Sequence, residues 1–439
     1  MADAVSDDLL SADELRHAWP ALSMEERLEG FHGLVRGDAD DFFLDLTAAD
    51  QAELLVALPQ EERRLWIRLL APDDAVDVVQ GLPEVERPRF MEQLDPVSRR
   101  EVSALLAYAE DAAGGLMSPR FARMRPEMTA DEAIRYLRRQ AREQAETIYY
   151  AYVLDPDQRL IGVVSFRDLL TATPEARVDG LMKRDVVSVP DTLDQEAVAR
   201  LMAREDVNAL PVVDGEGRMQ GIVTVDDVVD VVQQEATEDI QKLGGMEALD
   251  APYLATGFLE MVKKRAGWLA VLFVSEMLTA TAMSGFEEEI AKAVVLAVFV
   301  PLIISSGGNS GSQASTLVIR AMALGEITLG DALRVARREL VTGLSLGAIL
   351  ATIGVVRIFI WQGLFNSYGP ITPLLAATVG LSVVGCVSWG TFAGALMPLA
   401  IRRMGFDPAS ASAPFIATLV DVSGVVIYFT TARMILGIS

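Results

Sequence analysis

Cysteine is nearly absent from this sequence of 439 residues, and histidine is scarce. The single cysteine, Cys386, lies in an apolar segment, so no disulfide can form within the chain and none is needed in a reducing cytosol. The two histidines, His17 and His32, both fall near the N-terminus, and no nucleophile motif or phosphate-binding loop accompanies them. These absences argue against an enzyme.

Positive charge is scarce in the first part of the chain. Residues 1–250 carry a formal net charge of −26, whereas residues 251–439 carry +2. An acidic half of this size argues against binding of nucleic acid or docking on anionic lipid, and it favours cations as partners. Because acidic residues also keep soluble domains in solution, charge alone leaves both interpretations open.

Proline recurs with a regular spacing near the N-terminus. Pro59 and Pro83 are 24 residues apart, and so are Pro72 and Pro96. Proline suits the first turn of a helix, and most of these prolines are followed by an acidic residue and then by an apolar stripe at helical spacing. The pattern predicts a small superhelix of helix pairs, for which protein contact is the default role.

A second repeat relates residues 116–176 to residues 181–233. The segment GVVSFRDLL begins at Gly162, and the matching segment GIVTVDDVV begins at Gly221. The order of helices, strands and turns predicts two small α/β modules packed as a pseudo-dimer, and it resembles a pair of CBS domains. The predicted elements are helices at 130–140 and 194–203 and strands at 151–154 and 209–213.

Each module ends in the pattern Gly, two apolar residues, Ser or Thr, two further residues, and Asp. In CBS pairs the hydroxyl and the carboxylate of this pattern can hold a nucleotide ribose. Here they are Ser165 with Asp168 and Thr224 with Asp227. The same side chains could instead cap the following helix and close a turn, so binding of ATP and simple capping both stay open.

Five apolar segments after residue 262 are long enough to cross a membrane. Residues 234–262 precede them and are predicted to form one helix that leads to the membrane. Glutamates follow the first segment, at 287–289, whereas arginines such as Arg320 and Arg402 follow the second and the fourth. By the positive-inside rule the N-terminal half is cytosolic, and an odd number of crossings leaves the C-terminus outside. The predicted crossings are roughly 266–284, 290–318, 340–361, 371–400 and 412–435.

Three polar features of these crossings need an explanation. Asp421 lies within the fifth, where a charged side chain costs about 2.5–3.5 kcal/mol and therefore faces water or a partner. Nine consecutive polar or glycine residues occupy 305–313 in the second; they either line a cavity, which the amides favour, or pack closely against another helix. Glu276, in the first, is either a second site on an ion path or a structural carboxyl group.

A polar second crossing and a carboxylate in the fifth are what a path for a hydrated cation needs. Magnesium prefers oxygen ligands and gives up water reluctantly, so a carboxylate, carbonyls and hydroxyls around its water shell suffice. One carboxylate per chain is few for a divalent ion. A two-fold dimer, the commonest symmetry of oligomers, would bring two copies of Asp421 together.

The chain resembles the MgtE family of magnesium channels along nearly its whole length. The resemblance rests on EDAAGGLMSP at 110–119, TVDDVVDVVQQEATEDIQKLG at 224–244, GFEEEIAKAVVLAVFVPLIISSGGNSGSQASTLVIRA at 285–321, and ATLVDVSGVVIYF at 417–429. It implies a multi-domain membrane protein with an α-helical N-terminal superhelix, an α/β CBS pair and a five-helix all-α transmembrane domain. The implied boundaries are 1–115, 116–233, 234–262 for a connecting helix, and 263–439.

The resemblance also implies function. It implies a homodimeric, magnesium-selective channel of the cell membrane, closed when Mg²⁺ binds acidic cytosolic domains, with Asp421 organising the selectivity site beside Asn309 and Ala417. Glu276 departs from the usual first crossing of the family. The candidate sensor residues are Asp95, Glu110, Asp111, Asp214, Asp226, Asp230, Glu235, Glu238, Asp239 and Glu247.

Two other functions are compatible with the residues. A carrier for divalent cations would use Asp421 or Glu276 to take protons or sodium, and its flux would depend strictly on their gradient. A membrane-anchored nucleotide sensor would bind adenine nucleotides at the CBS pair and move no ion.

Overall fold

The structure is a computed structural model, and it describes residues 10–140, 149–249, 253, 256–287, 290 and 294–437. The chain forms two compact units, residues 1–233 and 234–439. The first contains an array of short helices and two small sheets, and the second contains the long apolar helices.

Eight short helices form the N-terminal array. Every second helix begins 24 residues after the one before it, at Met24, Ala48, Pro72 and Pro96, and these four helices contact one another in sequence. The predicted superhelix of helix pairs is therefore present. The helices are α1 (Ala12–Ala18), α2 (Met24–Gly33), α3 (Arg36–Leu44), α4 (Ala48–Ala57), α5 (Gln60–Ile67), α6 (Pro72–Gly81), α7 (Arg87–Gln93) and α8 (Pro96–Leu105).

Arginines one repeat apart make the same contacts. Arg63 donates from Nε to the carbonyl of Leu58, and Arg87 donates from Nε to the carbonyl of Leu82, at 2.8 and 3.0 Å. Each arginine thereby satisfies a carbonyl left open where a helix has ended. The proline prediction holds at Pro72 and Pro96, which open α6 and α8, but it is wrong at Pro83, which lies in a turn before α7.

Two three-stranded sheets follow the array, one in each of the predicted modules. In each, a short first strand is parallel to the second, and the second is antiparallel to the third. The strands are β1 (Arg123–Met124), β2 (Tyr150–Leu154), β3 (Leu160–Ser165), β4 (Val189–Pro190), β5 (Ala209–Val213) and β6 (Met219–Thr224), and the helices are α9 (Ala113–Leu116), α10 (Ala130–Gln140), α11 (Phe166–Thr171), α12 (Val178–Leu181) and α13 (Gln195–Glu205).

The two modules exchange backbone hydrogen bonds in a reciprocal way. Ser118, before the first module's sheet, pairs with Ile222 on β6, whereas Lys183, its equivalent in the second repeat, pairs with Val163 on β3. Each module thus completes the sheet of the other, which is the arrangement that the internal repeat predicts for a pseudo-dimer.

The predicted single helix over 234–262 is wrong. Helix α14 spans Val225–Leu243 and is followed by Gly244 and Gly245, of which the second has φ +72°. That conformation strains any residue with a Cβ atom, and a Cβ on Gly245 would also lie 2.8 Å from the ring of Trp268. The helix therefore ends at the glycines, and the next one begins at Phe258.

In the described part of the second unit, five helices are long and apolar enough to cross a membrane. They overlap all five predicted crossings, although the glutamates at 288 and 289 and residues 291–293 lie outside the described residues. The helices are α15 (Phe258–Ser284), α16 (Val300–Ala323), α17 (Ala332–Phe365), α18 (Thr372–Arg403) and α19 (Ala413–Leu436).

Glycines bring α16 and α18 into backbone contact. A Cβ atom on Gly390 would lie 2.2 Å from the carbonyl oxygen of Gly307, and one on Gly394 would lie 2.1 Å from that of Gly311. Glycines four residues apart on both helices thus form one contact line, as is typical of closely packed membrane helices. Beside this line, Ser310 and Thr391 share a hydrogen bond of 2.7 Å.

Replacing Gly390 by alanine should destabilise the membrane unit, because the new methyl group would collide with backbone rather than with a movable side chain. We expect a loss of about 1–3 kcal/mol, read as a lower unfolding temperature of the detergent-solubilised protein. Gly363→Ala on α17 is the matched control, since nothing lies within 4 Å of its Cβ position. Equal unfolding temperatures for the two variants would contradict the backbone contact.

Candidate cation pathway and acidic cluster

The carboxyl group of Asp421 faces the polar segment of α16. A Cβ atom placed on Gly308 would lie 3.8 Å from Oδ1 of Asp421 and 3.5 Å from Ala417. Asp421 is half-buried, and it forms no hydrogen bond or ion pair with another described residue. The structure therefore brings Asp421 and Ala417 together on the face of α19 that meets Gly308, and it leaves the carboxylate available to a ligand.

The polar segment of α16 divides by helix face. Gly307 and Gly311 are buried against α18, as close packing requires. Gly308 turns towards α19, and Asn309 is exposed in the single chain, where its amide donates to Ser305 at 3.4 Å. Neither interpretation of this segment thus holds for all nine residues, because Gly307 and Gly311 pack against another helix whereas the polar side chain of Asn309 is exposed.

Two serines of α16 hold the start of α19 in place. Ser312 donates to the carbonyl of Ala413 at 3.1 Å, and Ser315 donates to that of Ala411 at 3.0 Å. These carbonyls lie at or just before the beginning of α19. The height of Asp421 relative to Gly308 is therefore fixed by side-chain contacts two to three turns away from it.

Helix α15 packs against α19 from the other side. The indole Nε1 of Trp268 donates to Ser412 at 3.2 Å, and its ring lies 6.5 Å from that of Phe415. Near the opposite end of the helices, Phe286 stacks on Phe429 with ring centroids 5.2 Å apart. The two helices consequently run in parallel past Asp421.

The end of α14 is joined to the loop before α19 by an ion pair. Lys242 donates to Oδ2 of Asp407 at 2.6 Å and also pairs with Glu238 on its own helix. Partial burial acts to lower the pKa of Lys242, but the hydrogen bonds and charges of Asp407 and Glu238 outweigh it and raise that pKa. The lysine is therefore charged at neutral pH, and the link persists.

Carboxylates from three segments converge within the first unit. Charges on Asp226 and Asp230 of α14 act on Asp74 of α6, and Asp230 also acts on Asp77, one turn further along α6. Among the candidate sensor residues, the structure thus brings Glu110, Asp226 and Asp230 to one place. We call the following set the acidic cluster: Asp74, Asp77, Glu110, Asp226, Asp227 and Asp230.

Desolvation and neighbouring charge raise the pKa of Asp77 to about 7. Part of the side chain remains accessible, yet the protein around it excludes much of the water, and this is the main cause of the shift. The nearby carboxylates, Asp74 first, add to it. Burial also raises the pKa of Asp74, with help from Asp226 and Asp230. Asp77 therefore keeps a proton to a higher pH than an isolated aspartate does, and the pKa of Asp74 is shifted in the same direction.

Several other sensor candidates serve local structure. Asp95 caps α8 by accepting from the amides of Val97 and Ser98, and the hydrogen bond from the side chain of Ser98 is the main reason that its pKa is lowered. Asp214 accepts from the amides of Glu216 and Arg218 in a tight turn, and these bonds lower its pKa. These two carboxylates belong to a cap and a turn and lie outside the acidic cluster.

The remaining candidates have separate positions. Asp111 is exposed, and its backbone carbonyl accepts from Gln195 at 2.8 Å. Glu235 and Asp239 lie on α14 and have partners, and Glu238 is held by Lys242. Glu247 lies beyond the end of α14, with its amide bonded to the carbonyl of Lys264 at 3.1 Å. Within the described part of the chain, no group of three or more His, Cys, Asp or Glu side chains forms a ready metal site.

The two candidate nucleotide pairs have capping geometry. Ser165 donates to Asp168 at 2.6 Å and accepts from its amide, and Thr224 donates to Asp227 at 2.6 Å. Both pairs are thus satisfied locally, as the capping interpretation expects. Asp227 also belongs to the acidic cluster, so a nucleotide held there would lie beside Asp77 and its neighbours.

Comparisons with known proteins match the order of the domains along the chain. The family model MgtE, described as a divalent cation transporter, matches residues 300–431; the model of the MgtE intracellular N domain matches 10–111; and the CBS model matches 113–175 and 178–234. The magnesium transporter MgtE of Thermus thermophilus is 42% identical over 427 residues, which are 96% of this chain and 92% of the relative. The chain belongs to the MgtE family.

Other MgtE proteins are similar over most of their length. The magnesium transporter MgtE of Bacillus subtilis is 31% identical over 90% of this chain and 85% of its own. Among solved structures, the cytosolic domain of an Mg²⁺ channel MgtE in complex with ATP is 44% identical, with a TM-score of 0.48, and covers 51% of this chain and 90% of that one.

Sequence reasoning missed Asp74 and Asp77. Both fall just after Pro72, where acidic residues are expected simply because they suit the start of a helix. The available signal was their spacing: three residues apart, they lie on one face of α6 while the apolar Val76 and Val79 lie on the other, buried face. In this member of the MgtE family they complete the acidic cluster.

The raised pKa of Asp77 predicts a pH-dependent stability. The ordinary pKa of the group is 3.8, so between about pH 4 and pH 7 the folded chain binds a proton that the unfolded chain does not. Stability without Mg²⁺ should therefore fall as pH rises through this window, by about 1 kcal/mol once solvent screening of the accessible carboxyl is allowed for. Asp77→Asn should remove that loss.

Thermal unfolding of the purified, metal-free protein at pH 5 and pH 8 measures this effect. Glu84→Gln, in the exposed turn after α6, is the matched control and should keep the wild-type difference between the two pH values. The assignment of the proton to Asp77 is wrong if Asp77→Asn shows the same difference as the wild type.

Proposed function

We propose that this protein is a homodimeric, Mg²⁺-selective channel of the cell membrane, closed by intracellular Mg²⁺ that binds its acidic cytosolic part. Its N-terminal unit would be cytosolic and its C-terminus outside. The proposal takes the transported ion from the magnesium transporters that resemble the chain over nearly its whole length. One structural observation carries it: Asp421 presents a carboxylate, without a partner in the described region, to a glycine face of α16.

The surroundings of Asp421 suit a hydrated divalent ion. Gly308 has no side chain to fill the space before the carboxylate, and Asn309 and Ser305 supply polar groups along the adjacent face. Mg²⁺ keeps several of its waters when it binds, so a roomy site with one carboxylate per subunit meets its needs better than a tight cage. Two subunits would offer two such carboxylates across a common axis.

The acidic cluster is proposed as the sensor. Without metal, its carboxylates repel one another, and Asp77 holds a proton at unusually high pH. A bound Mg²⁺ would neutralise them and draw α6 and α14 together. Because α14 begins in the first unit and ends at the ion pair of Lys242 with Asp407, a change at its start could reach the loop before α19. This is a two-state switch biased by a ligand.

Asp421→Asn should abolish Mg²⁺ uptake into liposomes, because the substitution keeps the shape of the side chain and removes its charge. We expect at least a tenfold loss of flux with an unchanged elution volume of the detergent-solubilised protein. Glu326→Gln, an exposed residue in the loop after α16, is the control and should leave flux unchanged. Undiminished flux in Asp421→Asn would refute the pore assignment, and flux that requires a proton or sodium gradient would identify a coupled carrier instead.

Joint replacement of Asp226 and Asp230 by asparagine should leave a channel that conducts at Mg²⁺ concentrations that close the wild type. The physical reason is that the acidic cluster would lose two of its negative charges and with them its affinity for the ion. Patch recordings with a titration of cytosolic Mg²⁺ measure the midpoint of closure. Asp214→Asn, whose amide side chain fits the same turn, should keep the wild-type midpoint, and an unshifted midpoint in the double variant would remove the acidic cluster from the sensor.

A further inference from the structure

Glu276 is a carboxylate within a membrane-spanning helix. It lies in the second half of α15, near the middle of the predicted crossing at 266–284, is exposed in the single chain, and forms no hydrogen bond or ion pair with another described residue. A charged group at this depth is costly unless it faces water, an ion or a partner. Packing within the described chain therefore does not account for its presence.

Two aromatic contacts, one on either side of Glu276 along the chain, place it level with Asp421. Trp268 on α15 meets Phe415, and Phe286, just after the end of α15, stacks on Phe429. Glu276 follows Trp268 by eight residues, about 12 Å along the helix, and Asp421 follows Phe415 by six, about 9 Å. Each carboxylate thus lies a little less than halfway between the two contacts. They are also near enough for the charge of Glu276 to act on Asp421.

A second polar group points to the same place. Thr279 is 7% exposed, and its hydroxyl has no hydrogen-bond partner among the described residues. Threonines in helices usually donate to the carbonyl four residues earlier, as Thr281 does to Met277 at 3.0 Å. Thr279 follows Glu276 by three residues and therefore lies on the neighbouring turn of the same face. It adds a buried hydroxyl, without a partner among the described residues, on the turn of α15 that follows Glu276.

We propose that Glu276 is a second permeation carboxylate, which acts together with Asp421 on the same hydrated divalent cation halfway across the membrane. This inference rests on the proposed function and names a further residue of that pathway. Two carboxylates at one depth repel each other when no cation lies between them. A divalent cation relieves this repulsion more effectively than a monovalent one, because its attraction to both groups is twice as large.

The role assigned to Glu276 concerns affinity and charge selectivity. Asp421 faces Gly308 and organises the site, whereas Glu276 approaches from α15 and contributes charge through the water shell of the ion. A unit charge about 10 Å from a divalent cation changes its binding by roughly fourfold even at the dielectric constant of water, and by more in the membrane. The residue should thus set how well Mg²⁺ competes with monovalent ions.

The test is block of sodium current by Mg²⁺ in the full-length protein. Glu276→Gln should raise the Mg²⁺ concentration for half-maximal block at least fourfold, while Glu276→Asp, which keeps the charge, should stay within twofold of the wild type. Glu260→Gln on the same helix, in its first turn, is the matched control and should not shift the block.

The outcomes separate this inference from the proposed function. An unshifted block in Glu276→Gln overturns the role of Glu276, whereas loss of flux in Asp421→Asn still supports the channel. Equal shifts in Glu276→Gln and Glu276→Asp would show that shape rather than charge matters, and this also overturns it. If Glu276→Gln fails to assemble while Glu276→Asp assembles with a wild-type block, the carboxylate is structural and the inference is wrong.

Discussion

The membrane unit depends on one constraint: its backbone polar groups find no water in the hydrocarbon, so irregular or polar segments must be enclosed by protein. Helix α16 meets this constraint by placing Gly307 and Gly311 against the backbone of α18. The contact fixes the rotation of α16 about its axis. Once that rotation is set, Gly308 faces α19 and Asn309 follows beside it, so the packing line determines where the polar face lies.

The structure shows where the acidic residues of the first half of the chain come together. Most carboxylates there are solvated or serve as caps, as Asp95 and Asp214 do. A small number, held by α6, α14 and the segment after α8, lie close enough together for their charges to act on Asp74 and Asp77. Net charge thus favours cations as partners of the chain. Only the fold distinguishes the carboxylates that interact electrostatically with one another from those that do not.

The repeats made much of the fold predictable, because a repeated unit shows its own boundaries. The sequence alone shows the two modules around Gly162 and Gly221 and the 24-residue spacing of the helices, and no knowledge of tertiary contacts is required. The rotation of each membrane helix about its own axis could not be predicted in this way. Which of the glycines at 307, 308 and 311 packs, and which faces Asp421, depends on the register of α18 and α19. The connecting helix ends earlier than predicted, because Gly244 and Gly245 terminate it.

Asp407 performs two tasks with its two oxygens. Its Oδ1 accepts from the amide of Ala409 and shapes the short turn before α19, while Oδ2 holds Lys242 of α14. The ion pair between Lys242 and Asp407 can therefore break while the turn before α19 keeps its form. Breaking it would release α14 from the helix that carries Asp421. Both side chains of the pair are partly exposed, at 29% and 39%. Ions in the surrounding solution consequently weaken this ion pair. The strength of the link between α14 and the loop before α19 should therefore depend on ionic strength as well as on any specific ligand.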